Sequence, residues 1–134
     1  MLPKTFHAQI DQARLTAALA DAERNTTGRI YIYVSHRHIS DAMAAAQRRF
    51  AKLGLSKLHE HRASVLIYIA PQSFKFAIIG DTAIHERCGE DYWKSLAEKL
   101  SHDLKFGELM PALLNAIASL KATLEEHFPV GGKA

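Results

Sequence analysis

Apolar residues fall along this chain in two periods, and the change from one to the other marks its elements. Over residues 6–24 they recur at three- and four-residue steps (Phe6, Ile10, Ala13, Ala17, Ala20), the spacing of one helix face. Leu15, Ala18, Leu19 and Ala22 widen that stripe, and Asn25-Thr26-Thr27-Gly28 ends it with turn chemistry. Residues 29–36 (RIYIYVSH) alternate instead. Ile30, Ile32 and Val34 take one face and Tyr31, Tyr33 and Ser35 the other, which is the period of a strand. Ser40 then offers an N-cap, with Asp41 favourable at the positive end of the helix that follows. Met43, Ala46, Phe50 and Leu53 form its expected buried face, Gln47, Arg48, Arg49 and Lys52 its wet one, and Gly54 its stop.

Residues 63–70 (ASVLIYIA) and 75–80 (KFAIIG) are apolar runs dense in β-branched and aromatic side chains, which suit a sheet covered on both faces. Pro71, with its fixed φ, and Gln72-Ser73 make the turn between them. A turn that short makes these two strands antiparallel, whereas strand, helix, strand over 29–70 implies a right-handed crossover and a parallel pair. After Gly80-Asp81 the chain leaves the sheet into a polar segment. Helical spacing returns over 90–105 (Trp93, Leu96, Ala97, Leu100, Leu104) and 108–127 (Leu109, Leu113, Ile117, Leu120, Leu124), with Gly107 between. Pro111 sits in the first turn of the last helix, where its missing N–H costs nothing, and Phe128-Pro129 closes it. This order predicts one α/β domain over 1–129, a three-layer α/β/α sandwich with a small mixed sheet, and a tail over 130–134.

Composition narrows the function classes. A chain of 134 residues buries a core without disulfides or metal. Its 48% hydrophobic and 23% charged residues are those of a soluble globule. A net charge of +3 is not the clustered basicity of a nucleic-acid binder. The single cysteine, Cys88, excludes an internal disulfide framework and fits a reducing, cytoplasmic setting. No run approaches the roughly 18 apolar residues of a membrane span. The first residues (MLPKTFHAQID) have no apolar core of signal-peptide type.

Several residues offer chemistry, each with a plainer alternative. Asp81, directly after a strand-ending glycine, either ligates a hard cation or works as an acid–base group, or it caps the next turn through the amides of Ala83 or Ile84. Glu86, Glu90 and Asp91 lie close by, as further ligands or as carboxylates at a helix N-terminus. His36 and His38, His59 and His61, and His85 with Cys88 raise zinc, against solvated histidines. Cys88 with His85 or His59 raises a nucleophile, against a small packed thiol. Arg48, Arg49, Lys52, Lys57 and Arg62 gather around the second helix, as a solvated face or as a site for a phosphate-bearing or acidic partner. Tyr31, Tyr33 and Tyr68 would stack bases only on an open sheet face; helices on both sides make them core.

The run Val65-Leu66-Ile67-Tyr68-Ile69-Ala70-Pro71, then Lys75-Phe76-Ala77-Ile78-Ile79-Gly80-Asp81, resembles the TPM domain. Ile84, Gly89, Trp93 and the closing His127-Phe128-Pro129 fit as well, and nearly the whole chain falls in register. This domain is shared by a thylakoid-lumen acid phosphatase, a photosystem II repair factor and a modulator of an acetylcholine receptor. The resemblance implies a Rossmann-like central sheet, calcium or another divalent cation held by acidic residues in some relatives, and weak phosphatase activity in plant members. Asp81 takes the aspartate of the family's GD motif. Where bacterial relatives often read GEIRV, this chain has Gly28-Arg29-Ile30-Tyr31-Ile32, so Arg29 stands at an acidic position and would oppose a cation. Ala83 stands where relatives often carry glycine, which restricts the loop after Asp81. The chain looks like a stand-alone, soluble, bacterial-type member. The expected function is a non-enzymatic module that binds a protein partner, with no nucleic acid and no membrane span, through the loop after the third strand (residues 81–89). The alternative is a weak phosphatase in which Asp81 and Glu86 hold Ca2+ or Mg2+ and Arg62 or Arg29 steadies phosphate.

Overall fold

β2 (Ser64–Ala70) is buried along its whole length, and the pairing on either side of it sets both faces of the sheet. The computed structural model describes residues 11–35, 37–55, 63–70, 73, 75–106 and 109–130. β1 (Arg29–Val34) runs parallel to β2, with Ile30 opposite Val65 and Val34 opposite Ile69. β3 (Lys75–Gly80) runs antiparallel on the other side, with Gly80 opposite Val65 and Lys75 opposite Ala70. The parallel and antiparallel pairings read from the sequence therefore hold, and the order is β1-β2-β3.

Strand alternation divides the core in two. Ile30, Val65, Ile67, Ile69 and Ile78 face α1 (Gln12–Glu23), α4 (Glu90–Phe106) and α5 (Leu109–His127). Leu66, Tyr68 and Ala77 face α2 (Ala42–Leu53) on the other side. The α/β/α layering follows, with helices on both sides of the sheet. α5 supplies Leu109, Leu113, Ile117, Leu120 and Leu124, all buried as the spacing predicts. Each contributes about 1.5–3 kcal/mol of gross burial, and α5 packs chiefly against α1 and α4.

Two helix faces are rotated from the expected ones. In α1 it is Leu15 and Ala22 that are buried, with Ala18 and Leu19 partly so, while Ala13, Ala17 and Ala20 are exposed. The leucines carry more apolar area than the alanine stripe and fix the rotation. In α2 the buried residues are Ala45, Ala46 and Phe50, whereas Met43 is 46% and Leu53 42% exposed. Two neighbouring alanines let this helix lie close over the strands, which turns Met43 outward. Arg49 is half-buried, and its guanidinium carbon lies 4.3 Å from the centre of the Tyr33 ring.

The caps also differ in detail. Asp41, not Ser40, caps α2, its Oδ1 accepting from Ala44 N at 3.0 Å. Gly54 ends that helix as expected, in the left-handed region at φ 68°. The segment after Asp81 is not an irregular polar loop but a short helix, α3 (Thr82–Cys88). Ile84 anchors it with no exposed surface, and Gly89 at φ 82° ends it. The C-terminal end of α5 is tied back to the start of β1. Thr27 N donates to Phe128 O at 2.9 Å, Val130 N to Asn25 O at 3.2 Å, and Thr26 bridges Pro129. Phe6, Ile10, Pro71, Gly107 and the tail over 131–134 lie outside the described residues.

Candidate functional site

A three-stranded sheet has two edges, and here they are treated differently. At the β1 edge, Ile30 N donates to Glu23 Oε2 at 2.8 Å, so α1 covers the start of that strand. At the β3 edge, Asp81 N donates to Ser64 O at 2.8 Å. That bond sets the phase of the antiparallel ladder: Ala77 and Ile79 turn their peptide groups toward β2, while Phe76 and Ile78 turn theirs outward. No hydrogen bond from another described residue reaches the outer groups of Phe76 and Ile78.

This edge forms the floor of a groove of about 660 Å3, open to solvent between two helices. Met43 and Gln47 of α2 make one wall, and Trp93, Ala97 and Glu98 of α4 the other. At the end of β3 it runs on into a cavity of about 330 Å3 bordered by Asp81, His85 and Glu86. Beyond the start of β3 lies a polar recess with Asp41 and Lys75. Lys75 and Phe76 thus border the recess, and Ile78, Ile79 and Gly80 the groove.

Two features shape the groove. Gly80 lets Trp93 lie on the strand, since a Cβ there would meet Cζ2 of the indole at 2.5 Å. His85 stacks on the same ring (6.1 Å between centroids, 3° between planes), and Tyr92 meets it edge-on at 4.9 Å. The second is charge. The exposed side chains around the groove include Asp41, Glu86, Glu90, Asp91 and Glu98 against Lys75 and Lys94, on a chain whose net charge is +3.

The profile of the TPM domain family matches residues 4–123. The chain belongs to the TPM domain family. Its fold is similar to the NMR structure of BA42 protein from the psychrophilic bacterium Bizionia argentinensis. The TM-score is 0.80 and the identity 26%, over 90% of this chain and 83% of that one. No curated protein matches the chain.

Within this TPM domain, Asp81 is buried at 3% exposure and serves as the N-cap of α3. Its Oδ1 accepts from Thr82 N at 2.7 Å, one residue nearer than the amides of Ala83 or Ile84 expected from the sequence. Glu86 is exposed, and it borders the same cavity as Asp81. Among the described residues no group of three or more His, Cys, Asp or Glu side chains is arranged to hold a metal ion. Arg29 Nη1 donates to Gly28 O at 2.7 Å and Thr26 O at 3.4 Å, so it is engaged with the main chain beside the other edge strand.

The other candidates disperse. His38 lies 3.4 Å from Ser73 Oγ, at the opposite end of β3 from His85. Cys88 is half-buried; burial first, and the Glu126 carboxylate after it, push its thiol above the ordinary range, away from a nucleophilic thiolate. Tyr68 is buried and stacks with Tyr33 at 5.5 Å. His36, His59, His61, Lys57 and Arg62 lie outside the described residues. Sequence reading missed the groove walls, Met43, Gln47 and Glu98. The signal was there in one respect: a methionine among alanines on α2 leaves the large apolar side chain without an obvious place in a close-packed face.

Proposed function

We propose that this TPM domain is a non-enzymatic module that binds a protein partner along the free edge of β3, with α3 (residues 82–88) at one end of the contact. One observation carries this reading: Phe76 and Ile78 turn their peptide groups outward, and Ile78 lines a groove walled by α2 and α4 while Phe76 borders the recess beyond it. A strand edge with unmet donors and acceptors is a template for another chain, and natural proteins cover such edges unless they use them. The described candidates for chemistry are also engaged otherwise. Cys88 holds its proton, His85 is stacked on Trp93, and Asp81 caps a helix.

A second reading has one observation in its favour. Asp81 and Glu86 share a cavity, as a divalent cation of a weak phosphatase would require. The donor set is thin for it. Calcium takes about six to eight oxygens, and one Asp81 oxygen already accepts a main-chain bond.

The test is site-specific photo-crosslinking in the source cells. A crosslinker at Met43, on the groove wall, should give one discrete protein adduct; the same group at Thr16, on the exposed face of α1, should not. Equal labelling at both positions, or none at Met43, removes the reading.

A further inference from the structure

We infer that the partner presents an extended segment, alternating apolar and basic side chains, which adds to β3 as a fourth strand. This rests on the groove being the binding site and names what it takes. The outer peptide groups of Phe76 and Ile78 supply main-chain pairing at the spacing of a strand. β3 has six residues, so up to six residues of a partner can pair with it.

The walls set the side-chain pattern. A strand laid on β3 sends successive side chains to opposite faces of the sheet. One set points to the α2 side, where Met43 is 46% exposed and offers apolar surface. The other points to the α4 side, where Glu90, Asp91 and Glu98 stand against the single charge of Lys94. Apolar residues suit the first side and lysine or arginine the second. The field at the groove is opposite in sign to the chain's net charge, which steers a basic segment to this face rather than elsewhere.

The same features exclude a second copy as occupant. β3 lies recessed between α2 and α4, so two copies would have to bring two floors together past four helix walls. Their rims would also place carboxylates against carboxylates, which costs binding.

A six-residue peptide alternating valine and lysine, blocked at both ends, is the probe. Its addition to the isotope-labelled protein should slow hydrogen exchange at the amides of Phe76 and Ile78 while leaving those of Ala77 and Ile79 as they were. Two further peptides, each N-methylated at alternate residues, separate strand pairing from simple adhesion. A strand pairs through one of its two edges, so one methylated peptide should lose binding and the other retain it. The variant Glu98→Gln with Asp91→Asn should weaken the parent peptide about two- to tenfold, and a valine–glutamate peptide should not bind. If the parent peptide fails to bind, or both methylated forms bind like it, strand addition is overturned. A crosslink at Met43 would then still uphold the groove as a protein site, and its absence would remove both. Equal binding of the valine–glutamate peptide overturns the charge assignment.

Discussion

The Cβ that Gly80 lacks would lie 2.5 Å from Cζ2 of Trp93 and 2.7 Å from its Cη2. The last residue of β3 and the first buried residue of α4 are therefore fitted to each other, and the indole forms part of the groove wall because the strand has no side chain there. The ring cannot easily give way, since His85 stacks on one side and Tyr92 meets it edge-on. Gly80→Ala should destabilise the protein by about 1–3 kcal/mol through overpacking. A thermal melt should show a fall of roughly 3–6 °C per kcal/mol. The chain has one tryptophan, so its fluorescence reports the displacement directly. An unchanged melting temperature and emission spectrum would mean that the ring is not held where the strand requires it.

Thr26 joins the two ends of the fold. It is 1% exposed, and its Oγ1 accepts from Gly28 N at 3.0 Å while lying within hydrogen-bond reach of the carbonyls of Leu124, at 3.0 Å, and Phe128. Thr26→Val keeps the shape and removes the hydroxyl, leaving the Gly28 N–H and the end of α5 without that partner. The loss should be about 1–3 kcal/mol, the cost of buried groups left unsatisfied. Thr26→Ser should recover most of it. Denaturant midpoints that rank valine equal to serine would show that the hydroxyl contributes nothing.

Asp81 can be tested as a cap and as a ligand with the same two variants. Asparagine caps a helix about as well as aspartate, and alanine costs about 0.5–2 kcal/mol. If Asp81 is a cap, Asp81→Asn should match the parent in stability and Asp81→Ala should not. Calorimetric titration of chelator-treated protein with calcium and magnesium should then give no saturable heat in any of the three. Saturable binding that disappears in a folded Asp81→Asn protein would instead establish the divalent-cation reading, with Glu86 the next residue to change.

What the sequence made legible follows from how many residues carried each signal. The strand topology needed only the length of two connections, and α5 announced itself through five large side chains at one spacing. The rotations of α1 and α2 were not legible, because alanines fit either a buried or an exposed face and the stripe they form is ambiguous. α3 has seven residues, under two full turns, and offers too few positions for a period to show. Asp81 was recognisable as a cap or a ligand, but its position on a groove was not. That groove joins Met43, Ile78 and Glu98, which meet only because the chain places an edge strand between two helices far apart in sequence. Local pattern cannot express such a juxtaposition.

Cys88 provides a last prediction, on pH. Burial is the main reason that its thiol is raised above the ordinary value, and the Glu126 carboxylate acts in the same direction by opposing a nearby negative charge. The folded chain therefore holds this proton to higher pH than the unfolded chain does. Two consequences follow. At pH 8 the thiolate fraction is smaller than in a free cysteine, so iodoacetamide should alkylate the native protein more slowly than the denatured one, by more than its half-buried position alone explains. The ratio should shrink as pH rises toward the folded value. For stability the sign is the same as for any acid held neutral: the contribution is complete below the unfolded thiol's range and declines as pH rises through the folded one. The difference in unfolding midpoint between the parent and Cys88→Ala should therefore be constant from pH 6 to 8 and move against the parent above about pH 9. A thiol that reacts faster in the folded protein than in the unfolded chain would contradict this and return Cys88 to the list of candidate nucleophiles.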